Sequence, residues 1–136
     1  TGFQVSSIPF IAVAAKEDYG FEIEFFESLD RKNARDTRVM EILAHLYTRA
    51  GRNEDGLSVD LRLSREKPED PLVHYNLACS LALVGQDERA VETLGHAIGK
   101  GYTDFEWMAK DPDLASIREL PSYEKLLDRL AGGHTH

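Results

Sequence analysis

The residues best suited to chemistry are a cysteine and a histidine, Cys79 and His45, which lie 34 positions apart. A thiol beside an imidazole is the pair that nucleophilic catalysis uses, because the imidazole can accept the proton and leave a reactive thiolate. The sequence offers no evident third residue to orient the imidazole and no group to stabilise an oxyanion. We therefore predict no catalytic residue, and a Cys-dependent enzyme is the less favoured alternative.

The remaining metal-binding and phosphate-binding residue types do not form a recognisable pattern. Cys79 is the single cysteine, which excludes an internal disulfide and a multi-cysteine zinc site. No two histidines have the i,i+4 spacing of a ligand pair on a helix. The segment Gly99-Lys100-Gly101 lacks the glycine spacing and the Lys-Ser/Thr pair of a phosphate loop. The sequence predicts neither a metal ion nor a cofactor.

Composition and charge narrow the class of partner. A chain of 136 residues with 42% hydrophobic residues suits one compact domain. The net charge of -8 disfavours binding to the phosphates of nucleic acid. The longest apolar run, residues 9–15, is far shorter than the roughly 18–20 residues of a membrane-spanning helix. We expect a cytoplasmic protein that binds neither nucleic acid nor membranes, although a chain that starts at Thr1 leaves an upstream targeting segment open.

The elements that would position these residues repeat after 34 residues. Asp70-Pro71 is typical of a helix start, because the carboxylate caps free N–H groups and proline at the first position loses no hydrogen bond. Gly85 suits the left-handed position that ends a helix. The 34-residue shift aligns identical residues at Asp36/Asp70, Leu43/Leu77, Ala44/Ala78, Gly51/Gly85 and Glu54/Glu88. The pattern predicts two helix–turn–helix units, residues 37–70 and 71–104.

This arrangement resembles the tetratricopeptide repeat family, whose unit is a 34-residue pair of helices. The residues that match its motif positions are Tyr75-Asn76-Leu77-Ala78, Gly85, Ala90, Leu94 and Ala97 in the second unit, and Leu43, Ala44, Tyr47, Gly51 and Pro68 in the first. The first unit departs at Gly56, where alanine is usual, at Asp60, where a large apolar residue is usual, and at Leu63, where a small residue is usual. The resemblance implies an all-α fold, a short right-handed α-α superhelix of two full repeats with an extra N-terminal helix and a C-terminal helical cap.

One stretch carries two conflicting patterns. Leucine and valine at positions 57, 59, 61 and 63 alternate with polar residues, which is typical of a strand. The same positions also form i,i+4 pairs, and the 34-residue spacing requires a helix there. We predict a helix.

The flanks of the two units have helical signals of their own. Phe21, Phe25 and Leu29 follow helical spacing and predict one more helix before the first unit. Thr103 and Glu106 have capping-box spacing, and Pro121 suits the start of a last helix. The string Gly101-Tyr102, Asp104-Phe105, Asp111-Pro112-Asp113-Leu114, Arg118 and Pro121-Ser122-Tyr123 resembles the ending of many bacterial tetratricopeptide proteins. The resemblance implies a single domain over residues 19–136, with a cap at 105–131 in which Trp107 and Leu114 pack on the last full unit.

Residues 1–18 are predicted as an N-terminal arm, because Pro9 would be disfavoured inside a helix. Two arrangements of this arm stay open. It is an extended leader, or its apolar residues cover the exposed face of the helix at 21–29 in the same molecule or in a neighbour. Those apolar residues are Phe10, Ile11 and Val13. The second arrangement predicts a homodimer through residues 1–30.

The densest charge cluster lies beside this arm and consists of Glu17, Asp18, Glu22, Glu24, Glu27 and Asp30. We interpret it as a solvated face with favourable charge near a helix N-terminus. The alternative is a docking surface for a basic partner.

The resemblance also implies a concave surface formed by the first helix of each unit. The residues that it places there are Arg38, Glu41, His45, Thr48 and Arg49 from the first unit, and Tyr75, Asn76, Cys79 and Leu83 from the second. Arg38 and Arg49 would pair with a carboxylate, and Asn76 would hold a peptide backbone. The family's carboxylate clamp uses lysine and asparagine at several of these positions, and Glu41 and Cys79 do not match it.

We therefore predict a non-enzymatic protein–protein interaction module that binds a peptide or protein segment in this groove. Two other possibilities stay open besides the Cys-dependent enzyme. The chain is an assembly or scaffold unit that forms homodimers, or the groove is only solvent-exposed scaffold, since a fold does not imply a function.

Overall fold

The computed structural model describes residues 19–133, which form seven α-helices and one 3-10 helix without any strand. The helices are α1 (Gly20–Lys32), α2 (Thr37–Arg49), α3 (Asn53–Glu66), α4 (Pro71–Leu83), α5 (Asp87–Gly99), α6 (Phe105–Lys110), the 3-10 helix Pro112–Ile117 and α7 (Pro121–Gly133). Helices that are consecutive in the sequence from α1 to α5 pack against each other, which confirms the all-α prediction. None of the described helices is long and apolar enough to cross a membrane. The predicted arm, residues 1–18, lies outside the described residues.

The bounds of the four central helices reflect the 34-residue spacing. α2 and α4 begin 34 residues apart, and so do α3 and α5. The side chains of Asp36 and Asp70 accept hydrogen bonds from backbone N–H groups in the first turns of α2 and α4. Gly51 and Gly85 lie in the turns that follow α2 and α4. Their φ angles are +77° and +86°, a conformation that glycine adopts without steric cost. Local caps and turns therefore set where each helix starts and stops.

The segment with two conflicting patterns is helix α3, as the i,i+4 spacing predicts. Leu57, Val59 and Leu63 are buried, and Leu61 is half-buried. α3 packs against both α2 and α4, so it needs a wide apolar stripe. The alternation results from burial on two sides of a helix.

The extra N-terminal helix is present as α1, which buries one face and leaves the other exposed within the described chain. Ile23 is 2% exposed and packs with the partly buried Phe26 and Leu29. Phe21 and Phe25 are 73% and 49% exposed. α1 packs mainly on α2, so the described chain covers its Ile23–Phe26–Leu29 side and leaves its Phe21–Phe25 side exposed.

Polar contacts also hold α1 in place. Arg62 in α3 donates to both carboxylate oxygens of Asp30 at 2.9 Å. The Tyr47 hydroxyl in α2 donates to Glu27 at 2.5 Å. Two members of the N-terminal acidic cluster are thus paired within the fold, and this weakens its interpretation as a docking surface.

The C-terminal segment, residues 102–133, covers the end of the α4–α5 pair. Its buried apolar side chains are Met108, Leu114, Ile117, Tyr123 and Leu126. Asp104, rather than Thr103, caps α6 by accepting from the backbone N–H of Trp107 at 3.1 Å. Asp111 caps the 3-10 helix in the same way through Asp113 at 2.9 Å. These two caps fix the chain between Asp104 and Asp113, which closes one side of a groove.

Candidate functional site

A groove of about 690 Å³ lies between α2, α4 and the C-terminal segment. Of the nine residues that the family resemblance places on the concave surface, seven line this groove, namely Glu41, His45, Thr48, Tyr75, Asn76, Cys79 and Leu83. Two pairs of positions 34 residues apart, 41/75 and 45/79, therefore meet at one concavity.

The two predicted cations, Arg38 and Arg49, are not among the lining residues. The Arg38 guanidinium lies 3.5 Å from the capping carboxylate of Asp36. The Arg49 guanidinium lies 5.9 Å from the centre of the Tyr19 ring. Arg38 lies near its partner at the start of α2, and Arg49 lies near its partner at the end of α2. The groove therefore lacks the two cations that were expected to pair with a carboxylate of the ligand.

A buried hydrogen-bond network closes one side of the groove. The Tyr75 hydroxyl donates to Asp111 Oδ2 at 2.6 Å, and the Cys79 thiol donates to the same oxygen at 3.6 Å. The Tyr75 ring stacks on Tyr102 with centroids 4.2 Å apart. Arg118 donates to the backbone carbonyl of Asp111 and so holds the loop that carries it. This network ties α4 to the C-terminal segment.

The same network opposes a nucleophilic role for Cys79. The side chain is 7% exposed, and burial together with the charge of Asp111 raises the pKa of its thiol far above the ordinary value. Burial, followed by the charge of Arg49, lowers the pKa of His45. The thiol hydrogen-bonds to a carboxylate that disfavours the thiolate, so the group is a poor nucleophile at neutral pH.

Cys79, Asp111 and Asp113 also form a group of possible metal ligands, with one ligand atom from each lying within 4.8 Å of the others. Both oxygens of Asp111 already accept hydrogen bonds, one from the Asp113 backbone and the other from Tyr75 and Cys79. A metal ion would also require a thiolate, which the raised pKa of Cys79 disfavours. The cluster is better explained as a helix cap with a buried donor network.

Asp60 is the most unusual residue of the groove. It is 4% exposed, and its carboxylate accepts a hydrogen bond from the Ser80 hydroxyl at 2.5 Å. Burial raises the pKa of Asp60 to about 6, and the bond from Ser80 offsets only part of this increase. The prediction of a partner-binding set did not include Asp60. The sequence did contain a signal for Asp60. The tetratricopeptide repeat family, which the sequence resembles, usually has a large apolar residue at the equivalent position.

The charge of the groove is one-sided. Six lining residues carry a carboxylate: Glu41, Asp60, Asp70, Asp104, Asp111 and Asp113. No lysine or arginine is found among the lining residues of the described chain. The residues predicted to line the groove all lie on α2 and α4. Most of these acids, together with Tyr102 and Trp107, lie on α3 or in the C-terminal segment, so the prediction did not include them.

Comparison with known proteins gives similarity of limited extent. No family model matches the chain, and no solved structure matches it. A curated chloroplastic protein of Arabidopsis thaliana is 27% identical over 110 residues, covering 78% of this chain and 33% of that protein. The chain therefore spans about a third of the length of the curated relative it matches.

Proposed function

We propose that this chain is a non-enzymatic protein interaction module that binds a peptide or protein segment in the groove between α2 and α4. In this proposal, two tetratricopeptide-like repeats, 37–70 and 71–104, form a short right-handed superhelix that α1 and the C-terminal segment flank. The observation that carries the proposal is the groove itself, where seven of the nine residues implied by the family resemblance line one cavity.

The surface of the groove suits a peptide. Leu72 is 56% exposed and Leu83 is half-buried at its wall, so both offer apolar contact to a ligand. Asn76 is exposed beside them and has a side-chain amide that both donates and accepts, as a peptide backbone requires. This combination of apolar and hydrogen-bonding groups supports peptide binding over a purely structural cleft.

The enzyme alternative has weaker support. Its only candidate nucleophile is Cys79, whose hydrogen bond to Asp111 and raised pKa both disfavour a thiolate. A catalytic cysteine is expected to have the opposite electrostatic environment, with a lowered pKa and partial exposure. Activity that survives Cys79→Ser would dispose of a Cys-dependent mechanism altogether.

The proposal is tested by selecting peptides from a random displayed library with the full chain and measuring their affinity for a groove variant. Asn76→Trp puts a large ring in the groove, and Asn76 is exposed, so we expect the variant to fold. The selected peptides should bind this variant about 10-fold or more weakly, because the ring occupies the space of the ligand. Isothermal titration calorimetry gives the dissociation constants.

Ser58→Trp is the matched control, because Ser58 is an exposed polar residue on α3 that does not line the groove. Affinity for this variant should equal that of the wild-type chain. If every selected peptide binds Asn76→Trp and Ser58→Trp equally well, the groove is not the binding site and the proposal fails.

A second candidate is a homodimer formed through residues 1–30, and the exposed face of α1 favours it. Phe21 and Phe25 lie one helical turn apart and are both exposed, so α1 presents an apolar face without a partner in the described chain. Phe10, Ile11 and Val13, which would cover this face in one of the two arrangements left open for the arm, lie outside the described residues. Self-association and peptide binding use different faces and are compatible.

The compartment is part of the proposal too. The sequence analysis favours the cytoplasm, and the likeness to a chloroplastic protein makes an organelle the alternative.

A further inference from the structure

We propose that the groove selects a peptide segment with a basic side chain, lysine or arginine, whose cationic group pairs with Asp60. This inference rests on the proposed function and adds the chemistry of the ligand to it. It reverses the expectation from the sequence, in which Arg38 and Arg49 would bind a carboxylate of the partner.

Four of the six carboxylates in the groove already have structural roles. Asp70, Asp104 and Asp111 each accept a hydrogen bond from the backbone N–H of a helix start. Glu41 pairs with Lys67 at 3.3 Å. These groups add negative potential to the groove, but their partners within the fold account for their presence.

Asp60 has no such explanation. One of its oxygens accepts from the Ser80 hydroxyl, and the other has no hydrogen-bond partner within residues 19–133. A charge buried to this extent is costly unless a cation or several donors compensate it, and one neutral hydroxyl is weak compensation. An acid that faces a groove and lacks a cation within the described fold suits a cation supplied from outside.

Asp113 adds to the negative charge of the groove. It lines the groove, and one of its carboxylate oxygens is within 4.8 Å of the Cys79 sulfur. Burial and the nearby charge of Asp111 raise the pKa of Asp113. No basic residue of the described chain pairs with its carboxylate, so a ligand cation would relieve the repulsion from Asp111.

The charge and shape of the groove favour a peptide cation over other ligands. Among the described residues, His45 is the one ionisable base that lines the groove, and burial lowers the pKa of its imidazole. Lys67 pairs with Glu41 and Asp70, whereas no salt bridge within the described residues reaches Asp60 or Asp113. Leu72, Leu83 and Trp107 provide apolar surface along which the methylene stem of lysine or arginine can pack. An acidic peptide or a nucleic acid would be repelled.

The test uses peptides from the random library whose binding to the full chain depends on Asn76. We expect these peptides to contain lysine or arginine in excess over the unselected library. The strongest one is then synthesised with its basic residue and with an uncharged isostere, citrulline for arginine or norleucine for lysine. The isostere should weaken binding to the wild-type chain by about 10-fold or more, because a desolvated charge pair is lost.

Asp60→Asn separates pairing with Asp60 from a general effect of charge. The variant keeps an acceptor for Ser80, and it should bind the charged and uncharged peptides with nearly equal affinity. Asp128→Asn removes an exposed acid of α7 and should retain the preference of the wild-type chain. Groove-dependent peptides without an excess of basic residues, or an unchanged preference in Asp60→Asn, would overturn this inference and leave the proposed function standing. A library that yields no groove-dependent peptide would overturn the proposed function itself.

Discussion

Asp60 keeps a carboxylate almost out of contact with water, on a helix that packs against two others. Its pKa is about 6 in the folded chain against an ordinary value of 3.8. The folded state therefore binds this proton more tightly than the unfolded state, so the contribution of Asp60 to stability falls as pH rises from about 4 to about 6. Above that range, the full cost of the buried charge is present, at most about 3 kcal/mol.

We expect Asp60→Asn to be more stable than the wild-type chain at pH 7.5, because the variant removes this cost and keeps an acceptor for Ser80. The difference should shrink towards zero at pH 4, where Asp60 is largely protonated. Urea unfolding at both pH values measures it. The comparison isolates Asp60, because the other ionisable groups that line the groove are present in both proteins: Glu41, His45, Asp70, Tyr75, Cys79, Tyr102, Asp104, Asp111 and Asp113.

Asp128→Asn serves as the control at the residue scale, since Asp128 is exposed. It should change the free energy of unfolding by less than about 0.5 kcal/mol at either pH. A wild-type chain that is more stable than Asp60→Asn at pH 7.5 would show that the carboxylate is already compensated within the fold.

At the scale of elements, the close approach of α2 and α3 involves a glycine that the packing does not require. A methyl group added at Gly56 would lie 3.5 Å from Thr48 Oγ1 and 3.6 Å from Tyr47 Cβ, both ordinary contact distances. Glycine inside a helix loses more backbone entropy on folding than alanine does. We expect Gly56→Ala to raise the free energy of unfolding by about 0.5–1 kcal/mol, measured by urea unfolding.

We expect the opposite effect on stability at Gly51, which lies in the turn between α2 and α3. Its φ of +77° lies in the left-handed region, which side chains other than glycine rarely adopt. Gly51→Ala should therefore lower the free energy of unfolding by about 1 kcal/mol. If both glycine substitutions destabilise the chain equally, the contact distances at Gly56 do not describe the packing of α2 on α3.

At the scale of the whole molecule, the two ends of the helix stack differ. Buried side chains of the C-terminal segment cover the α4–α5 end, whereas α1 leaves Phe21 and Phe25 exposed. A stack of helices that pack only on their neighbours needs both terminal faces covered or made polar. The homodimer candidate explains the exposed end.

That candidate predicts a mass in solution of twice the monomer, measured by light scattering on the full chain. Phe21→Ser together with Phe25→Ser should then shift the mass to the monomer without unfolding the chain, because both side chains are largely exposed. Phe105→Ser, which changes an exposed aromatic residue at the other end of the stack, should leave the mass unchanged. A wild-type chain that is already monomeric excludes the homodimer.

The helices could be predicted from the sequence because their determinants are local. Asp36 and Asp70 cap helices through N–H groups two or three residues away, and Gly51 and Gly85 supply the turn within the next few positions. The apolar spacing of α3 was sufficient to favour a helix over a strand. Seven of the nine residues that the family resemblance placed on the concave surface also line one groove, because they lie on α2 and α4, which both border it.

The charge of the groove and the buried face of α1 depended on the tertiary structure. Asp111 reaches Tyr75 and Cys79 from more than 30 positions away, and no periodicity of the first helices includes it. Asp60 meets Ser80 only because α3 and α4 pack together. Local patterns determine where a helix begins, ends and has its apolar residues, whereas the electrostatics of a groove arise from groups that distant segments bring together in a water-poor space.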